Sequence, residues 1–174
     1  SDVDPARVLD TGLFSPARAR SHPMWFKELN GFQDHVPETE EYGITSFCYR
    51  ARVPFDWDRI SQALCGPSGL LGGVMRAKGH FWTANAPEAV RTFSLAGRLS
   101  EIGHGGRWWA ATPRRHWPTD PAAVARIARH WQAPFGDRRQ ELVFIGTQAM
   151  NREAITRALD ECQAKGGPVL RRRM

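Results

Sequence analysis

Between residues 44 and 53 the chain alternates so regularly that one local structure suits it best. Phe47, Tyr49, Ala51 and Val53 fall on one side, and Ser46, Cys48, Arg50 and Arg52 on the other. A period of two is that of a strand buried on one face only. Such a strand needs neighbours for its backbone groups and a covering layer for its apolar side. The rest of the chain has to supply both.

The pattern after it does so. Pro54-Phe55 ends the strand, and Asp56 caps a short helix that buries Ile60, Ala63 and Leu64 before Gly66-Pro67 closes it. Strands are predicted over 74–83 and 89–96, with a short fourth over 107–112. Asp120-Pro121 opens an amphipathic helix with Val124, Ile127, Ala128 and Trp131 at i, i+3, i+4 and i+7. A strongly apolar strand covers 140–145 and ends at Gly146. Asn151 then caps a last helix whose Ile155, Ala158, Leu159 and Cys162 face inward. The order β-α-β-β-(β)-α-β-α predicts an α+β fold. Its sheet is mainly antiparallel with helices on one face, a ferredoxin-like β-α-β-β-α-β core plus a C-terminal helix.

The segment 1–42 reads as a separate lead-in ahead of a domain over 43–174. Ser15-Pro16 is a helix-start signal, and Trp25, Phe26 and Leu29 recur at helical spacing up to Gly31. The acidic stretch 34–41 reads as a solvated linker. Charge divides at the same place. Residues 1–42 hold four basic and eight acidic side chains, residues 43–174 twenty and ten. Of the 24 basic residues, 21 are arginine. Such a domain suits nucleic acid, phosphates or an acidic protein surface; scattered arginines on a solvated face are the plain alternative. Arg171, Arg172 and Arg173 read as a tail.

No apolar run approaches the ~20 residues that span a bilayer, and no signal-peptide pattern opens the chain. Three cysteines without a C-x-x-C pair point to a reducing, cytoplasmic setting. The start at Ser1 fits a processed or cloned piece of something longer.

With helices on one face, alternation lists what the other face carries. On the second strand Met75, Ala77, Gly79 and Phe81 turn inward, leaving Arg76, Lys78, His80 and Trp82 outward. Cys48, Arg50 and Arg52 join them from the first strand, and Arg139 and Glu141 from the last. Arg50, Arg52, Arg76, Lys78 and Arg139 are the candidate partner-binding groups, as charge-assisted donors to acidic groups or backbone. Pairing of Arg139 or Lys78 with Glu141 is the purely structural alternative. Cys48, His80 and Glu141 are the ligand types of zinc or a similar metal such as cobalt, although the adjacent arginines oppose a cation. Cys162 reads as packed and inert. His104 and His116 flank Trp108-Trp109 in what reads as an aromatic loop. No G-x-x-x-x-G-K-[ST], G-x-S-x-G or H-E-x-x-H occurs, so no catalytic residue is assigned and a stand-alone enzyme is disfavoured.

Several segments together resemble one family. Residues 43–55 look like its "GI-x-S-F-x-Y-R-x-R-x-P-F" strand, and residues 74–82 look like "R-A-K-G-x-x-W". Residues 136–146 are similar to "G-D-R-x-Q-E-L-V-F-I-G", and Leu159-Asp160-x-Cys162 to its last helix. They resemble the C-terminal domain of the CobW-type P-loop GTPases, a family linked to cobalamin synthesis and to delivery of zinc or other metals. Val8-Leu9-Asp10-Thr11-Gly12 looks like the family's linker. The resemblance implies an accessory docking or regulatory module, with its own N-terminal GTPase domain and a client metalloprotein as partners. GTP and magnesium, and the family's C-x-C-C metal motif, would then lie on that other domain. A second reading is single-stranded RNA binding, since Lys78-Gly79-His80-Phe81-Trp82 faintly echoes the aromatic strand of RNA-recognition sheets. Nucleic acid is the less favoured partner, and no membrane is implied.

Overall fold

The structure, a computed structural model, describes residues 43–165 and, ahead of them, Asp4, Pro5, Thr11, Gly12, Ser15, Ala17 and Arg18. Backbone contacts divide the chain into two compact units, Ser1–Tyr42 and Gly43–Met174. In the first, Ser15 Oγ accepts from the Arg18 amide at 3.3 Å, the geometry of a helix cap. Trp25, Phe26 and Leu29, the acidic stretch 34–41 and the arginines 171–173 lie outside the described residues.

In the second unit the chain runs β1 (Ile44–Ala51), α1 (Trp57–Cys65), β2 (Val74–Thr83), β3 (Ala86–Ala96) and β4 (Leu99–Arg107). Two short 3-10 turns follow (Trp109–Ala111 and Arg114–His116), then α2 (Pro121–Arg129), β5 (Gln140–Thr147) and α3 (Arg152–Glu161). The sheet order is β1-β5-β2-β3-β4, every neighbouring pair antiparallel. β1 and β2 therefore point the same way with β5 inserted between them. α1 joins them as the crossover of a split β-α-β unit.

Each helix begins where its side-chain acceptor stands. Asp56 accepts from the Arg59 amide at 3.0 Å, and Asn151 from the Ala154 amide at 2.9 Å. Asp120 takes the Ala122 and Ala123 amides at 3.2 and 2.9 Å, with Pro121 opening the helix. Each such cap contributes about 1 kcal/mol. One core then closes over one sheet face. Phe47, Tyr49, Ala77, Phe81, Phe93, Leu95, Leu142 and Phe144 pack with Ile60 and Leu64 of α1 and Ile155 and Leu159 of α3. The Tyr49 hydroxyl donates to Asp160 Oδ1 at 2.8 Å, and burial keeps that phenol protonated far above its ordinary range. Cys162 is buried in the same core, as its helical position predicts, and burial likewise raises its thiol pKa.

The α+β class and the antiparallel sheet match the sequence pattern. Within that class, α2 departs from the single-face arrangement. Its Ile127 is buried outside the main core and lines a cleft with His80. His80 alternates with Phe81 and so points away from α1 and α3. The chain has already crossed over when α2 begins, because Trp108, just after β4, stacks edge-on against His80 with ring centroids 5.6 Å apart.

Two further expectations fail for local reasons. The β2 ladder shifts register between Val74 and Arg76, so Val74 takes the buried position and Met75 is left 50% exposed. The short strand expected over 107–112 is a 3-10 turn, while the fourth strand lies earlier, at Leu99–Arg107. Gly79 marks the tightest strand contact: a Cβ there would run into the Glu141 carbonyl and Leu142 backbone of β5.

Candidate functional site

The segment 136–141 is a row of internal fasteners. Gly136 turns with φ +70°, and a Cβ on it would collide with the Ala110 side chain. Asp137 is buried and accepts from the Trp109 amide at 3.0 Å and the Ala110 amide at 2.8 Å. Those two contacts draw the backbone after β4 into its 3-10 turn. Buried Arg138 donates through Nε to the Pro87 carbonyl at 2.6 Å and through Nη1 to Phe135 at 3.1 Å. Gln140, also buried, accepts from the Trp82 amide at 3.0 Å and donates to the Val53 carbonyl at 2.5 Å. Arg52 Nη1 closes the set by donating to the carbonyls of His130 (2.9 Å) and Arg138 (3.0 Å). Trp82 lies beneath them, 0% exposed, with the Arg138 guanidinium 5.5 Å from its ring. It was expected on the open face, and the 136–141 segment covers it.

Glu141 anchors the next row. Register places Arg50 opposite it on β1 and His80 opposite it on β2. Arg139 Nε donates to Glu141 Oε2 at 2.9 Å, and Arg50 Nε approaches Oε1 at 3.4 Å with its own side chain 69% exposed. The Arg139 hydrogen bond is the main reason the Glu141 carboxyl lies below its usual range. His80 Nε2 stands 3.9 Å from Oε2, beyond hydrogen-bond reach. That atom is buried and has no hydrogen-bond partner among the described residues. Burial first, and Arg139 second, lower the imidazole pKa, so His80 is neutral at pH 7.

The metal triad expected from the sequence is not assembled. Cys48 pairs with Val143, one row away from Glu141, and its thiol faces the Tyr49 carbonyl at 3.8 Å. Both Glu141 oxygens are held by arginines. Among the described residues, no group of three or more His, Cys, Asp or Glu side chains could hold a metal ion. His104 contacts Arg91 and His116 contacts Arg115, so the two flanking histidines take separate partners.

The five candidate docking groups therefore separate. Arg52 and Arg139 are engaged inside the fold, and Arg50 partly so. Arg76 and Lys78 are exposed and make no hydrogen bond or ion pair among the described residues. Lys78 stands opposite Val143, which is 38% exposed.

A cleft of about 410 Å³ opens between this sheet face and α2, with His80, Arg107, Trp109, Arg126 and Arg139 among its lining. Sequence reasoning missed it. It also missed Asp137, Arg138 and Gln140 as organisers. The available signal was five polar residues in succession, Asp137 to Glu141, just ahead of apolar Leu142, which is costly unless each is paired.

The family model described as the cobalamin synthesis protein cobW C-terminal domain matches residues 44–163. The chain belongs to that family. Among relatives of this CobW C-terminal domain, a zinc-regulated GTPase metalloprotein activator of Dictyostelium discoideum is 45% identical over 155 residues. That match covers 89% of this chain and 32% of the relative. A zinc chaperone of Mycobacterium tuberculosis is 30% identical over 103 residues, 56% of this chain and 24% of its own length. The Zn(II)-bound YjiA GTPase from E. coli matches with a TM-score of 0.49 at 18% identity, covering 76% of this chain and 33% of that one. The chain thus spans about a third or less of these relatives. Segments 43–55, 74–82 and 136–146, which carried the resemblance, fall almost wholly inside the matched region. In this CobW C-terminal domain the 136–141 residues serve the fold itself.

Proposed function

We propose that this domain is a non-catalytic docking module of a zinc-handling GTPase, and that its β2 ridge meets the P-loop GTPase domain of the same protein. Family membership supports the setting, as do a relative named as a zinc-regulated GTPase metalloprotein activator and another named as a zinc chaperone. The observation that carries the surface is the pair Arg76 and Lys78, exposed and without a partner among the described residues, beside exposed Val143 and Met75. Cations without internal partners next to apolar area make a surface suited to an acidic-rimmed protein face. GTP and zinc act on the other domain in this reading, and this chain transmits by contact. RNA binding is the weaker alternative, because Trp82, its intended stacking platform, is fully buried.

Titration of the GTPase domain, loaded in turn with GDP and GTP, against the chain and its Lys78→Glu variant tests the proposal. The variant is expected to bind about tenfold more weakly, ~1.4 kcal/mol, while melting at the wild-type temperature. Undiminished binding would overturn the surface. A melting shift of several degrees would make Lys78 a structural residue instead.

A further inference from the structure

The cleft under α2 has features that protein docking on the β2 ridge does not use. Its guanidinium groups come from three separate elements: Arg107 ends β4, Arg126 lies in the last turn of α2, and Arg139 leads into β5. Arg126 is exposed and has no partner among the described residues, and Arg107 makes only a 3.4 Å contact to the Ala111 carbonyl. The opposing charges nearby are already engaged. Asp137 accepts two backbone amides, and Glu141 is held by Arg139 and Arg50. His80 presents a buried ring nitrogen with no partner among the described residues, an orphan that calls for explanation. Since His80 is neutral at pH 7, the positive field is that of the arginines.

Trp109 and Ile127 add apolar wall. The 410 Å³ volume lies within the range of small-molecule sites, ~300–1,000 Å³. A bare inorganic anion would occupy little of it. Arginines lining one cleft from three elements suit a terminal phosphate, whose three oxygens can accept from more than one guanidinium. The net charge of +6 favours anion approach.

We infer that this cleft binds a small organic phosphate of about mononucleotide size, its phosphate toward Arg107 and Arg126 and its ring against Trp109. This inference stands apart from the docking surface, since neither Arg76 nor Lys78 lines the cleft.

AMP and inorganic phosphate, each titrated into the full chain at low salt and followed by calorimetry and tryptophan fluorescence, are the probes. AMP is expected to bind saturably, with inorganic phosphate at least tenfold weaker. Arg126→Glu and Arg107→Glu should each weaken AMP tenfold or more while circular dichroism stays unchanged, and Lys78→Glu should leave AMP binding as it was. Absence of saturable AMP binding up to millimolar concentration would overturn the inference. So would equal affinity for phosphate and AMP, or equal loss in Lys78→Glu, which would mark charge attraction without a site.

Discussion

Where β5 begins, Arg52 and Arg138 donate to backbone carbonyls and Arg139 to a neighbouring carboxylate. Farther along the sheet, on β2, Arg76 and Lys78 have no partner among the described residues. Four of the five, Arg52, Arg139, Arg76 and Lys78, are cations drawn from the same outward pattern; Arg138 is the buried exception. At the first end guanidinium groups tie the 136–141 segment to its neighbouring backbone over Trp82, while Asp137 holds the turn after β4. At the second the cations stay exposed, and in the docking proposal they meet the GTPase domain. Twenty basic and ten acidic residues over 43–174 therefore overstate the charge available for recognition. What separates the two ends is whether each donor already has an acceptor inside the fold.

The largest effect should come from contrasting two adjacent residues on the same strand. Phe144 is fully buried in the core, stacked on Phe47 with centroids 5.1 Å apart, while Val143 faces outward. Phe144→Ala is expected to cost about 3–5 kcal/mol, a fall of roughly 10 °C in Tm for a chain of this size. Val143→Ala should stay within about 0.5 kcal/mol of wild type and weaken only binding of the GTPase domain. Thermal melts of the pair, run beside the binding titration, check both. A Val143→Ala protein that melts early would mean the outward face is covered.

Asp137→Ala comes next. It strips the acceptors from the Trp109 and Ala110 amides, two buried bonds to a charged group, at a cost of about 3 kcal/mol in chemical denaturation. Near-UV circular dichroism should change with it, since Trp109 stacks on Trp117 at 5.9 Å. Lys78→Glu on the same instrument is the contrast and should leave both readouts alone. Equal stability of the two variants would erase the distinction between engaged and free charges.

Much of this was legible beforehand because local chemistry dictated it. Asp56, Asp120 and Asn151 cap the helices they were expected to cap, and Phe47 and Tyr49 face the core. Alternation alone could not assign Met75, because a register shift in β2 displaces the pattern by one residue. Nor could it assign Trp82, because strand parity gives the face but not whether a distant loop covers it. The side taken by α2 depends on Trp108 reaching His80, a contact between residues 28 positions apart in the sequence with no local signature. The Cys48–His80–Glu141 triad failed for a related reason: Glu141 and His80 share a row, but Cys48 is one row off and the carboxylate already has arginine partners.

The smallest effect is a dependence on pH, and it separates the two groups at the centre of the engaged end. His80 has its pKa lowered from an ordinary 6.5, chiefly by burial, with Arg139 and His130 pushing the same way and Glu141 opposing. Its proton is therefore taken up first by the unfolded chain. Stability should be flat above pH 6.5 on this account and should fall as the pH drops from 6.5 through the lower folded value. Glu141 has the opposite charge type and a lower window. Its carboxyl is depressed from 4.5 by the Arg139 hydrogen bond, so its contribution is intact above pH 4.5 and disappears below it. Arg107, Arg126 and Asp137 also line the cleft His80 faces. Denaturation midpoints from pH 7.5 to 4 for wild type, His80→Gln and Glu141→Gln should then part in order. His80→Gln should flatten the slope just below 6.5 and leave the acid limb, while Glu141→Gln should do the reverse. An unchanged slope in His80→Gln would mean that the imidazole is solvated in the folded chain, and that the ring nitrogen facing the cleft is not sequestered from water.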